Sequence, residues 1–137
     1  MAKAADAGLA KLKQDLKNKT LAPLYLIYGE EDFLKEYYFN AIKNAVLNGV
    51  MDDFNLISFE GAKQNTEEIS IALDTPPMMA DKKLVTVKYS NIFKSAAEDI
   101  KSFWLSAIEG IDEQTCIVFY EESIDKRGVL YNTLYKC

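Results

Sequence analysis

The stretch Leu24-Tyr25-Leu26-Ile27-Tyr28-Gly29-Glu30-Glu31-Asp32-Phe33-Leu34 limits the fold of this chain more than any other, because an apolar strand-like run meets a glycine and then the acidic start of a helix. Many α/β domains place a phosphate loop in this strand, turn and helix order, with backbone N–H groups and the helix N-terminus facing the crevice. Here Gly29, Glu30, Glu31 and Asp32 read as a degenerate nucleotide loop. Three acids would stand where an anion has to sit, and neither a second glycine nor a Gly-Lys-[Ser/Thr] ending follows Gly29. Lys35, the nearby cation, falls inside the helix pattern. The run is therefore a helix start stabilised by acids near its positive end.

Composition narrows the function classes. The 137 residues suit one domain, and 49% hydrophobic with 12% aromatic residues argues against disorder. A net charge of -5 sets the average surface against duplex DNA, so any nucleic-acid contact needs a local patch or segments outside this chain. The absence of histidine removes the usual general base and the commonest metal ligand together. Cys116 lies within an apolar run and Cys137 ends the chain, so the two form no disulfide framework and fit a reducing compartment. No stretch approaches the roughly 20 apolar residues of a membrane span, and the start lacks an apolar signal core. A cytoplasmic location without membrane contact is expected.

In chain order, Asp6 caps a short helix carrying Leu9, Leu12 and Leu16, and residues 1–20 form an N-terminal helix and extension. Leu24 to Tyr28 reads as a buried parallel strand covered on both faces. A helix from about Phe33 to Leu47 places Leu34, Tyr38, Ala41, Ile42 and Ala45 on its buried stripe and stops at Asn48-Gly49. Asp53 to Phe59 is a second strand nearer an edge, followed by a turn over Glu60 to Gln64. Asn65 and Glu68 have capping-box spacing for a helix ending near Leu73 and Asp74. Thr75-Pro76-Pro77 then starts a further helical turn presenting Met78, Met79 and Ala80. Leu84 to Lys88 is the third strand. Ser95 with Glu98 repeats the capping-box spacing for a helix to Ile108 whose inner face includes Ile100, Phe103, Trp104 and Ala107, stopped by Gly110. Thr115 to Tyr120 is the fourth strand, Glu121 to Ser123 a turn, and Asp125 caps a last helix carrying Val129, Leu130 and Leu134.

This alternation predicts an α/β domain over residues 21–137, a three-layer parallel sheet flanked by helices. Four strands make a small sheet, so the chain is expected to be the front part of a longer protein. Carboxylates at Glu30, Glu31, Asp32, Glu121, Glu122 and Asp125 follow apolar strands, where α/β ligands bind, and a divalent metal or a solvated acidic rim are the two readings. Neighbours one residue apart on a helix do not converge, which favours the rim. The third strand ends Val87-Lys88-Tyr89, with Lys88 where a nucleotide hydrolase would carry an acid. Cys116, without a histidine partner, belongs to the core rather than to catalysis.

The sharpest functional feature is Thr75-Pro76-Pro77-Met78-Met79-Ala80-Asp81-Lys82-Lys83. Two prolines restrict the backbone and reduce the entropy lost on binding. Adjacent methionines on a helical turn point about 100° apart, so one narrow core stripe does not absorb both. They either pack beneath a helix layer or form an adaptable wedge for a partner's apolar pocket, with Lys82 and Lys83 adding solubility or rim contacts.

Three signatures in this order and spacing resemble a known family: Tyr25 to Leu34, the segment ALDTPPMMADKKLVTV ending at Val87, and Ile117-Val118-Phe119-Tyr120 followed by Asp125-Lys126-Arg127. Over about residues 20 to 136 the chain is similar to the N-terminal domain of the delta subunit of bacterial DNA polymerase III. The resemblance implies an AAA+-like clamp-loader domain that has lost ATP binding, with no cofactor. It implies a component of a DNA-directed DNA polymerase holoenzyme that is not itself an enzyme. By motif, the wedge gripping the sliding clamp, the polymerase's beta subunit, falls on Met78 and Met79. Thr75, Pro76, Pro77, Lys82 and Lys83 become its support or rim. The family usually carries a leucine or aromatic residue at the second wedge position, so two methionines imply a softer anchor. Other clamp-loader subunits would be met through C-terminal domains beyond Cys137, and DNA only through the full complex. The competing readings are a divergent nucleotide-binding P-loop-like enzyme and a direct DNA-binding module; the second lacks an aromatic-basic stripe.

Overall fold

The computed structural model describes residues 14–18, 24–28, 32–47, 52–61, 65–92 and 97–122. Four strands, β1 (Leu24–Tyr28), β2 (Leu56–Glu60), β3 (Lys83–Lys88) and β4 (Thr115–Glu121), form one sheet in the order β1-β4-β3-β2. Every neighbouring pair is parallel, and the registers Leu24 with Ile117, Val85 with Ile117, and Leu56 with Leu84 align all four. Helices α1 (Asp32–Leu47), α2 (Asp52–Asn55), α3 (Thr66–Asp74) and α4 (Glu98–Glu109) complete the described elements. Residues 14–18 are also helical.

Side-chain alternation divides the core between the two faces of the sheet. Val85, Val87, Ile117 and Phe119 pack with Ile69 of α3 and with Trp104 and Ile108 of α4. Leu84, Cys116, Val118 and Tyr120 pack on the other face with Phe39, Ile42, Val46 and Leu47 of α1. The expected three layers are thus present. β3 and β4, covered on both sides, are the buried centre and read as near-continuous apolar runs for that reason. β1 does not share their burial. It pairs with β4 alone among the described strands and all five of its residues remain partly exposed, with Leu24 and Leu26 serving one face and Tyr25 and Ile27 the other.

Several local expectations need correction. The buried stripe of α1 is Lys35, Phe39, Ile42 and Val46, rotated by about one residue from the expected one. Leu34 and Ala45 face solvent, while Tyr38 and Ala41 are half-buried. A lysine begins the true stripe because its stem can lie on apolar surface while its amine finds partners. The second strand starts at Leu56 rather than Asp53, since Asp52–Asn55 is helical and the Asn55 side chain is turned inward. Glu60 and Glu121 end strands instead of starting turns. Asn65 caps α3 as expected, its side-chain oxygen accepting from the Glu68 N–H at 3.2 Å. The N-cap position of the fourth helix is Ala97 rather than Ser95. Helix α4 begins at Glu98 behind Ala97, which makes no side-chain cap bond, and acids in its first turn suit the helix dipole instead. Trp104 and Ile108 are its buried residues; Ile100, Phe103 and Ala107 pack at their margin, and Gly110 ends the helix. The N-terminal cap at Asp6, the stop at Asn48-Gly49, Ser95 and the last helix from Asp125 lie outside the described residues.

Candidate functional site

The segment between α3 and β3 turns the usual partition of side chains inside out. Thr75 closes α3 in extended conformation, with ψ 126°, its N–H and its Oγ both donating to the Ile71 carbonyl at 3.0 and 2.6 Å. A proline disfavours helical conformation in the residue before it, so Pro76 holds Thr75 extended and Pro77 does the same to Pro76. The helical turn expected after Thr75 therefore does not form, and residues 78–81 are a series of bends. Met78 is 46% exposed and Met79 83%. Pro77 and Ala80 are half-buried, and Thr75, Pro76 and Asp81 are exposed. Large apolar side chains on nearby elements, Phe54 of α2 and Ile71 of α3, also face solvent.

Buried polar side chains hold this loop from beneath. Asn55, 1% exposed, donates from Nδ2 to the Met78 carbonyl at 2.9 Å and accepts at Oδ1 from the Met78 N–H at 2.6 Å. Met79 follows with φ of 52°, a left-handed conformation that costs an L-residue roughly 1–2 kcal/mol and persists only where neighbouring contacts fix the chain. Lys83 lies inside rather than on the rim. Its ammonium donates to the carbonyls of Ala72 at 2.7 Å and Leu73 at 2.5 Å, and to that of Thr75, the cationic C-terminal capping that a helix end favours. Burial pushes its pKa down, against the opposing pull of Asp112 and Asp74. Lys82 is half-buried and donates to the Glu113 carbonyl at 3.0 Å.

At the other end of the sheet, Lys35, Lys88 and Glu121 find partners within the chain. Gly29, Glu30 and Glu31 lie outside the described residues; Asp32 opens α1 in solvent, 3.4 Å from the ammonium of Lys35. Lys35 is buried, with its Nζ 5.0 Å from the Tyr120 ring centre and 3.5 Å from the Glu121 carbonyl, a long contact. Lys88 lies 4.3 Å from the Phe39 ring centre and 5.0 Å from that of Tyr120, within cation–π range. Burial, helped by nearby Glu36, pushes the Tyr120 hydroxyl up to about 12. The Glu121 carboxylate is buried too. It accepts from the Ser90 N–H at 3.2 Å, the Ser90 hydroxyl at 2.8 Å and the Asn91 N–H at 3.0 Å. Burial raises its pKa and these bonds oppose the rise. Tyr89 and Asn91 take positive φ values of 55° and 64° as the loop folds over it. Burial likewise raises the Cys116 thiol to about 12, which makes it a poor nucleophile. Among the described residues, no group of three or more acids or cysteines is placed to hold a metal ion.

Asn55 did not stand out in the sequence, and Glu121, expected in a solvated acidic rim, is instead 1% exposed because its carboxylate is held by the loop after β3. Each acts on backbone far away along the chain, at Met78 and at Ser90 and Asn91, so local spacing carried no signal for it.

Residues 25–136 match the family model for the DNA polymerase III delta subunit. The chain belongs to that family. Across 75 residues it is 29% identical to a DNA polymerase III subunit delta of Bacillus subtilis, covering 55% of this chain and 22% of the relative. It is also similar to the solved Bacillus subtilis DNA clamp loader delta protein, with a TM-score of 0.79 and 25% identity over 92% of this chain. The chain spans 39% of that protein's length. A gamma subunit-related protein of Thermotoga maritima has the same fold at 13% identity, with a TM-score of 0.65 over 91% of this chain and 43% of its own. The architecture is AAA+-like, as the family resemblance implied. No helix among the described residues is long and apolar enough to cross a membrane.

Proposed function

We propose that this chain is the clamp-gripping domain of a delta-type clamp-loader subunit, with Met78 and Met79 as the anchor. The observation that carries the reading is the display of two methionines, 46% and 83% exposed, on a backbone fixed from within by Asn55 and Lys83. Burying a methionine side chain in a partner's pocket contributes about 1.5–3 kcal/mol. Because the loop is already ordered, little of that gain is lost to ordering it. The wedge favours an opened clamp only to the extent that it binds that state better than the closed ring. ATP hydrolysis belongs to other loader subunits. Contacts with those subunits and with DNA belong to the complete assembly.

The other end of the sheet supports a role without nucleotide chemistry. Lys35 and Lys88 lie against aromatic rings, and both oxygens of the Glu121 carboxylate are engaged by the loop after β3, so these three groups are committed within the chain rather than offered to phosphate or magnesium. Residues 21–137 act as the AAA+-like unit, with residues 1–20 as an extension. Replacing Met78 and Met79 together by alanine should weaken binding to the purified sliding clamp by about 30-fold or more, equivalent to about 2 kcal/mol, with an unchanged melting temperature. Equal affinity for both forms in a titration would reject the anchor.

A further inference from the structure

We infer that Asn55 is the positioning residue of the anchor, setting the backbone of Met78 and through it the direction in which Met79 is displayed. The inference rests on the clamp-anchor reading above but concerns a different residue, buried and out of a partner's reach. One side-chain amide meets both polar backbone groups of a single residue, its donor on the Met78 carbonyl and its acceptor on the Met78 N–H. The flipped amide would set donor against donor and acceptor against acceptor, so chemistry fixes its orientation. Asn55 immediately precedes Leu56, which pairs in register with Leu84, the residue after Lys83. The grip is therefore tied to the sheet on the β2 side, and the Lys83 ammonium ties the loop on the β3 side.

Met78 lies between these ties with both backbone groups committed. The turn back toward β3 then falls on Met79, whose φ of 52° an unconstrained methionine avoids. Phe54, the neighbour of Asn55, is 59% exposed, so the short helix presents an apolar side chain outward while its asparagine faces in. A purely stabilising asparagine would affect folding alone. A positioning one also changes Met78 amide exchange and clamp affinity in chains that remain folded.

The test compares the unaltered chain with Asn55→Ala, Asn55→Asp and the Met78→Ala, Met79→Ala double variant. Each is titrated with purified clamp and its Met78 amide is followed by hydrogen exchange. Asn55→Ala should lose protection of that amide and bind clamp about tenfold more weakly. Asn55→Asp, which keeps the acceptor but when ionised has no donor for the carbonyl, should keep the protection and recover part of the affinity. It also answers the question should the alanine form fail to fold. Undiminished clamp binding by Asn55→Ala, or by Asn55→Asp in that event, overturns the inference even if the double variant binds poorly. Undiminished binding by the double variant overturns the clamp reading itself.

Discussion

Met79 and Phe33 are almost equally exposed, at 83% and 82%, yet they stand on very different backbones. Phe33 belongs to the first turn of a regular helix, near a region where lysines rest on rings and a buried glutamate holds the loop after β3. Met79 stands at a left-handed φ, next to a residue whose N–H and carbonyl are both held by Asn55, in a loop whose helix end is gripped by Lys83. Exposed apolar area is common to both. What separates them is inward-facing polar structure committed to keeping one of them in place. Solvent-facing hydrophobes are ordinary on folded proteins, whereas strained backbone held by buried polar groups has a cost that a binding role explains.

The largest effect should come from removing the internal cation. Lys83→Met deletes three charge-assisted bonds at the end of α3 and should cost about 3 kcal/mol in chemical denaturation. A loss below about 1 kcal/mol would mean that water satisfies those carbonyls equally well and that the loop lacks its second tie.

Glu121→Gln sharpens the other half of the comparison. The Glu121 carboxyl has a pKa above its ordinary 4.5, so between these values the folded chain holds the proton more than the unfolded chain does. Its contribution to stability is full below the ordinary value and declines as pH rises through the folded one. The stability of the unaltered chain relative to Glu121→Gln should therefore fall as pH goes from about 4 to about 7. A pH-independent difference between the two melting curves would show that burial leaves this acid unperturbed.

The smallest effect concerns strain. Asparagine tolerates left-handed backbone better than methionine does, so Met79→Asn should raise stability by about 0.5 kcal/mol while weakening clamp binding. Calorimetric melting without a gain would mean that the conformation at Met79 carries no strain.

The sequence made the sheet legible because its information is local. β3 and β4 are continuous apolar runs, Asn65 stands three residues before Glu68, and Gly110 closes α4. The methionine pair was also legible, since Thr75-Pro76-Pro77 marks a break and two thioethers side by side sit awkwardly in a core. Its conformation was not. Proline at a first helical position favoured a helical turn, whereas consecutive prolines hold the backbone extended, and the buried partners come from α2 and from the far end of the loop. The burial of Lys35, Lys83 and Glu121 escaped the sequence for one shared reason. A charged residue is assigned to the surface unless its partners are visible, and these partners are backbone groups and rings brought near only by the completed fold.

The order β1-β4-β3-β2 also bears on how the chain is made. β1 is the first described strand to leave the ribosome, but its hydrogen-bonding neighbour is β4, the last. Until Thr115 to Glu121 has emerged, the Leu24–Tyr28 run waits with two unpaired edges and apolar side chains on both faces. The nascent polypeptide must pass that interval shielded or transiently collapsed, and a transcript broken before Thr115 would leave this strand without its mate.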